Sequence, residues 1–362
     1  MAAGFDARRV LITASGTDAL RLAIETTVRA AADPRRPVAL PAFSCFDLVT
    51  AAVGAGVDMV FYDVDPVSLA PDMESLAEAL EGRPLAVVIA NLFAFPVDWD
   101  AIRAVCDRSG AALIEDAAQG LGSGWNAGRA GTFGDLSVLS FGRGKGWTGG
   151  SGGALLVRRP GDGLADPRRA VDRTPGTSAC LVAALGAQWL LGRPSLYWLP
   201  ASVPWLALGE TRYKEPSEPR PPPAFAAALV REMEDRSIRE VAARRACADR
   251  WRDVVKDAAP EGLARPCEPL EGGFAGYLRF PVLLDGREGA ERVAHQASRY
   301  GVVRGYPIAL DELEASRGRT LLAGRPLPGA RRLRHDLVTL PCHGRVTEID
   351  YRGVTEALRS PW

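Results

Sequence analysis

From the start of the chain to about residue 160, apolar runs bounded by turn residues alternate with segments of helical period. Residues 10–13, 38–40, 59–64, 85–90 and 112–114 read as short buried strands, and 18–31, 72–80 and 99–109 as helices between them. This alternation predicts right-handed βαβ units and a mainly parallel sheet, with ligands collecting at the carboxyl ends of its strands. The rhythm breaks between 160 and 223. An apolar stretch at 179–191 leads into a Pro- and Trp-rich run holding Trp198 and Trp205, with Trp189 just before it. Gln188 interrupts the apolar stretch and Gly192-Arg193-Pro194 ends it, short of the ~20 residues a membrane span needs. Two readings stay open for this segment: a packed subdomain or subunit contact, and a peripheral contact with a membrane surface. Beyond Pro223 a long amphipathic helix is expected over 224–255, then strands at 276–284 and 302–308 around another helix. The expected organisation is α/β, with a large domain over 1–222, an insertion at 177–222 inside it, and a smaller C-terminal α+β domain over 223–362.

Composition narrows the function classes. The 362 residues carry 44 basic and 44 acidic side chains, which gives neither a nucleic-acid footprint nor a charged tail. Six cysteines are scattered without C-x-x-C spacing and no apolar leader follows the first residues, so a reducing cytoplasm is the expected compartment. Three histidines in no ligand spacing offer little for a metal. Among the basic residues only Lys145, Lys214 and Lys256 are lysine. Lys214 in the Pro-rich run and Lys256 near a helix end read as solvated surface.

Four segments at predicted strand ends carry candidate chemistry. In Ala14-Ser15-Gly16-Thr17-Asp18, a strand passes through a glycine into a helix whose first turn has free N–H groups, which suits a phosphate; a plain N-cap is the alternative. Glu115-Asp116, followed by Gln119, places two carboxylates at the end of a buried strand, where a protonated ring nitrogen would be one partner and a structural cation another. Ser140-Phe141-Gly142-Arg143-Gly144-Lys145-Gly146 runs a strand into a glycine-dense loop around a lysine able to form a Schiff base with an aldehyde. It does not fit a Walker A loop, and Gly149-Gly150-Ser151-Gly152-Gly153 precedes a strand where a nucleophile elbow would follow one. Lastly, Pro41-Ala42-Phe43-Ser44-Cys45-Phe46 offers aromatics to cover a planar ring, or simply to pack the core. A phosphate cradle, a carboxylate for a ring nitrogen, an amide for a ring hydroxyl and a lysine for an aldehyde together match pyridoxal 5′-phosphate.

With these motifs in order, from S-G-T through P-A-F-S, D-V-D-P (63–66), E-D-A-A-Q, G-T-F-G-D and S-F-x-x-x-K to T-L-P-C-H (339–343), the chain resembles the DegT/StrS group of nucleotide-sugar aminotransferases. The resemblance implies a fold-type-I PLP-transferase. It implies that Lys145 is the cofactor lysine and proton shuttle, and that Asp116 keeps the pyridine nitrogen protonated. Gln119 would contact the ring hydroxyl, while Ser140, Thr17 and the backbone N–H of Asp18 would hold the phosphate, with Ser15 and Gly16 completing the cradle and Cys45 and Phe46 beside the ring. The implied reaction moves an amino group from an amino-acid donor, glutamate, to a keto-sugar acceptor linked to a nucleotide, for polysaccharide or glycoconjugate synthesis, in a homodimer. A sugar dehydratase of the same group would carry histidine where this chain has Lys145. A non-catalytic regulator or assembly protein on the same fold is the competitor from another class.

The chain departs from the pattern in places. Cys45 stands where an aromatic is usual, Ser151 where the pattern has Glu, Asn91 where it has His, and Gly305-Tyr306-Pro307 where it has H-Y-P. No Asn-x-x-Arg-type segment for a neighbouring subunit's phosphate occurs around 220–223, and family members carry a sizeable segment before S-G-T.

Overall fold

A computed structural model describes residues 1, 3–158, 178–191, 212–259 and 262–359. Its main sheet has seven strands: β1 Arg9–Thr13, β2 Val38–Pro41, β3 Met59–Tyr62, β4 Ala86–Ala90, β5 Ala112–Asp116, β8 Leu136–Ser140 and β9 Gly153–Val157, in the order β1-β9-β8-β5-β4-β2-β3. Two-residue strands β6 Gly124–Trp125 and β7 Gly128–Arg129 lie outside it. The pairs from β3 through β2, β4 and β5 to β8 are parallel, whereas β9 runs antiparallel to both β8 and β1. The reason is local. The link from β8 to β9 contains no helix to cross over the sheet, so the chain turns back beside the strand it has just left.

Helices α1 Gly16–Ala30, α3 Met73–Glu81 and α4 Trp99–Ser109 stand where the 3.6-residue period places them. Each starts on a side-chain cap: Ser15, Asp72 and Asp98 accept the N–H of Asp18, Ser75 and Ala101, at 3.0, 2.9 and 3.0 Å. In α1 the positions Ala19, Leu20, Ala23, Ile24 and Thr27 turn inward. A further helix, α2 Asp47–Gly54, was not legible, because its run Leu48 to Val53 has no polar face to give it a period.

After α5 Ser178–Leu191, the expected long helix over 224–255 is two, α6 Ala224–Glu232 and α7 Glu234–Ala258, joined at Met233. A second sheet, ordered β10-β12-β14-β13, is wholly antiparallel and joins Ala264–Pro266, Arg279–Leu284, Leu337–Pro341 and Val303–Arg304. Helices α8 Gly286–Gln296, α9 Pro328–Asp336 and α10 Glu348–Arg359 accompany it. The strand expected over 302–308 shrinks to two residues, since Gly305 and Pro307 end it and proline has no N–H for a ladder.

The expected boundary at 222/223 falls just before α6, yet contacts cross it. β11 Gly273–Phe274 pairs with β6, and one buried cluster runs from Leu40 of the large sheet and Phe43 just beyond β2 to Phe280 and Leu340 of the second sheet. Asp63 is a fastener between the two parts. Its Oδ1 accepts the N–H of Val64 and Ala330 at 2.9 and 2.7 Å, and its Oδ2 that of Gly329 at 2.7 Å, so the D-V-D-P motif caps α9. Trp198 and Trp205, and with them most of the segment weighed as a membrane contact, lie outside the described residues. Among the described residues no helix is long and apolar enough to cross a membrane.

Candidate active site

The carboxyl ends of β1, β5 and β8 open onto one cavity of about 1100 Å3. Of the ten residues expected at the site, nine line it: Ser15, Gly16, Thr17, Asp18, Cys45, Asp116, Gln119, Ser140 and Lys145. Phe46 does not. It is 4% exposed and packs toward Tyr306, with ring centroids 6.3 Å apart, which favours for Phe46 the second of the two readings of its segment, core packing. The cause is that Phe46 immediately precedes α2 with a helical backbone, which carries its side chain into the core, while Cys45 is left at the cavity wall.

At one end, α1 begins against the end of β8. A Cβ on Gly16 would lie 2.8 Å from Ser140 Cβ and 3.0 Å from its Oγ, so only glycine lets the helix N-terminus and Ser140 approach this closely. The first-turn N–H groups of α1, lacking intrahelical acceptors, and the hydroxyls of Thr17 and Ser140 then face one space, and the helix dipole adds a partial positive charge. Two expected donors are already engaged. Ser15 Oγ accepts the Asp18 N–H at 3.0 Å, so both act as the cap, and Asp18 is turned to the chain's own residue 220, whose N–H donates to its Oδ2 at 3.2 Å.

The two carboxylates of β5 separate because neighbouring strand residues point to opposite faces. Glu115 is fully buried away from the cavity and accepts four hydrogen bonds: from the N–H of Gly131 (2.6 Å), Phe133 (2.9 Å) and Gly134 (3.2 Å) and from Ser137 Oγ (2.7 Å). The G-T-F-G-D motif is thus a collar around a structural acid. Asp116 faces the cavity and accepts one backbone bond, from Ala118 N–H at 3.0 Å. Burial raises its pKa above the usual carboxylate range, opposed by the charge of Lys145. A buried acid with an oxygen to spare fits a cationic ring N–H.

A raised folded-state pKa means that the native state holds this proton more tightly than the unfolded chain. The stability it contributes is present in acid and is lost as pH rises from the ordinary carboxylate range through the raised value. Asp116→Asn is therefore expected to melt higher than wild type at neutral pH in the apoprotein, with the difference vanishing in acid. Thermal melts between pH 4 and 8 check this, and an Asn variant less stable at neutral pH would refute it.

Lys145 sits in the loop after β8, its N–H donating to Gly142 O at 3.3 Å, and its amine has no hydrogen-bond or ion-pair partner among the described residues. Burial, reinforced by Asp47, pushes the Cys45 thiol up to about 12, so it stays protonated and contacts Asp47 Oδ2 at 3.4 Å. Gln119 is held at both ends: its Oε1 accepts the Phe93 N–H at 3.2 Å and its Nε2 donates to Tyr306 Oη at 2.9 Å, which leaves one N–H of the amide free for a ligand.

Three features escaped the sequence reading. Asp47 lines the cavity from the first turn of α2, a helix the pattern did not show. Tyr306 anchors Gln119 from a residue 187 positions away. Lys214, read as solvated surface, is exposed but also lines this cavity. The strap around it is fastened to α1 and α2: Thr50 Oγ1 donates to Lys214 O at 2.9 Å, and Arg21 donates to Ser217 O at 2.8 Å and to Glu218 at 2.9 Å. A smaller, mainly apolar cavity of about 400 Å3 beside Trp147 and α6 offers no lysine.

The architecture is that of the fold-type-I transferases. A structure of a DegT DnrJ EryC1 StrS aminotransferase from Brucella abortus superposes with a TM-score of 0.73 at 23% identity, covering 99% of this chain and 87% of that one. Residues 1–165 match the model of the DegT/DnrJ/EryC1/StrS aminotransferase family, which bears out over that stretch the resemblance carried by the motifs. Among curated relatives, the L-glutamine:2-deoxy-scyllo-inosose aminotransferase of Streptomyces kanamyceticus is 34% identical over 146 residues, 40% of this chain and 34% of that protein. The dTDP-4-dehydro-2,3,6-trideoxy-D-glucose 4-aminotransferase of Saccharopolyspora spinosa is 33% identical over 157 residues, 43% of this chain and 40% of its own length. These matches thus span well under half the length of either relative.

Proposed function

We propose that this protein is a pyridoxal 5′-phosphate-dependent aminotransferase that takes the amino group of an amino acid such as glutamate and delivers it to the carbonyl carbon of a keto-sugar linked to a nucleotide. The observation that carries this is the meeting of Lys145, Asp116 and the α1–Ser140 cradle around one cavity. When bound, the cofactor supplies an aldehyde and an electron-withdrawing ring. The chain's residues do the rest. Thr17, Ser140 and the α1 N-terminus bind the phosphate, and the Asp116 carboxylate keeps a proton on the ring nitrogen. Lys145 Nζ would bind the cofactor's aldehyde and would carry the proton removed from the donor's α-carbon. Cys45, neutral and small, would offer a ring in this cavity less apolar surface than an aromatic.

Both relatives named above act, by their names, on carbonyl groups of sugar-like rings, which supports a keto-sugar acceptor. By the same reading the protein works as a homodimer in the cytoplasm; the five described cysteines, all free, fit a reducing compartment. The purified protein with the cofactor should develop a visible absorption band that glutamate or glutamine discharges. A band that no amino donor alters would overturn transamination by those donors. Absence of any band would favour the non-catalytic competitor.

A further inference from the structure

Away from the catalytic cavity, three guanidinium groups converge on a recess of the C-terminal part. Arg287 and Glu291 of α8, Arg304 of β13, Pro307, and Arg334 and His335 of α9 line a cavity of about 280 Å3. Two arginines are fixed by backbone carbonyls. Arg304 Nη2 donates to the carbonyls of Arg334 and His335, both at 2.8 Å, and Arg334 Nε to that of Pro307 at 3.1 Å. Glu291 faces Arg287 at 2.7 Å and Arg304 at 3.2 Å, and Glu312, outside the lining, pairs with Arg334 Nη1 at 2.7 Å. Within the lining itself one carboxylate, Glu291, stands against three guanidinium groups, while Glu312 and Asp336 act on Arg334 and Arg304 from outside it. The terminal nitrogens of Arg287, Arg304 Nε and Arg334 Nη2 have no acceptor among the described residues.

We propose that this recess is a second ligand site, which binds a small phosphate ester. Guanidinium N–H groups in fixed planes match the oxygens of a phosphate dianion, and a phosphate of higher charge competes well with the single shared carboxylate of Glu291. A recess of about 280 Å3 accommodates a phosphate with a small substituent. The recess is joined to the catalytic cavity by one hydrogen bond: Pro307 lines the recess, and the hydroxyl of Tyr306 before it accepts from Gln119 of the cavity wall.

The test is a calorimetric titration of the full chain, loaded with pyridoxal phosphate and then freed of unbound cofactor so that the catalytic cradle is filled and no other phosphate ester competes for the recess, with glucose 1-phosphate as probe and glucose and inorganic phosphate as controls. Glucose 1-phosphate and inorganic phosphate should bind and glucose should not; binding of glucose alone would overturn a phosphate site. Arg287→Ala, on an exposed helix face, should weaken glucose 1-phosphate by about tenfold, whereas Glu291→Gln, which removes the competing carboxylate, should tighten it by roughly threefold. Affinity unchanged in both variants overturns the proposal, as does a change of oligomeric state in Arg287→Ala without a change in phosphate affinity, which would make the recess a subunit contact.

Discussion

Lys145→Ala abolishes borohydride-stable attachment of the cofactor and lowers the transamination rate by at least ~10⁴-fold, the loss expected when covalent catalysis and the proton shuttle disappear together. Composition makes this a sharp experiment, since three side chains in 362 residues carry an ε-amine. The structure makes it sharper. Two of the three, Lys145 and Lys214, line the same cavity, so trapping followed by peptide mapping must choose between amines that share one space. Lys145 lies in the glycine-dense loop after β8, and its charge acts on Asp116 and Cys45; Lys214 is exposed on the strap. The label is expected on Lys145 in wild type, with none on either lysine in Lys145→Ala and a wild-type level in Lys214→Ala. Labelling of Lys214 in the wild-type protein would overturn the assignment.

The second large effect is on stability and comes from the other acid of the E-D pair. Glu115→Ala removes the acceptor of three backbone N–H groups and one hydroxyl in a fully buried place. It also removes the first of three carboxylates, Glu115, Asp6 and Asp135, whose charge acts on the buried Arg158, which donates to Ser137 Oγ at 2.9 and 3.0 Å. Four stranded donors beside a weakened charge pairing cost about 3–5 kcal/mol. For a domain of this size that corresponds to a fall in Tm of roughly 10 °C. Glu115→Gln, which keeps one acceptor oxygen, should lose less. A melting temperature for Glu115→Ala within a degree of wild type would show that the collar of 131–134 holds without it. The two adjacent carboxylates thus separate cleanly: Asp116→Asn changes chemistry and stabilises the apoprotein, while Glu115→Ala leaves the cavity wall intact and weakens the fold.

Much of this was legible in the sequence because the relevant signals are local. Strand ends, a Ser cap before Gly16 and a lysine among glycines each occupy a few consecutive residues, and β1, β2, β3, β4 and β5 with α1, α3 and α4 fell where period and punctuation placed them. What stayed hidden was non-local or lacked period. α2 is apolar on nearly every side, β9 reads as a strand but its direction depends on what the preceding loop omits, and the small sheet's β14 was visible only as the motif T-L-P-C-H. The sequence left Phe46 open between ring and core for a finer reason: one residue's difference in position decides whether a side chain meets the cavity, as Cys45 does, or the core. That Lys214, exposed as expected, also lines the cavity was hidden because an extended Pro-rich strap carries no internal record of the helices it lies on.

That strap has a consequence for how the molecule comes into being. Arg220 donates its N–H to Asp18 across 202 residues of sequence and returns its carbonyl to Ala14 N–H at 2.8 Å, and the same segment walls the cavity from Lys214 to Ser217. On the ribosome, residues 1–165 can emerge with the lysine, both acids and the cradle in place and still possess an open trough. Closure waits for the strap to be synthesised and laid across α1, so competence for the cofactor should arrive late, as a step in nascent-chain length.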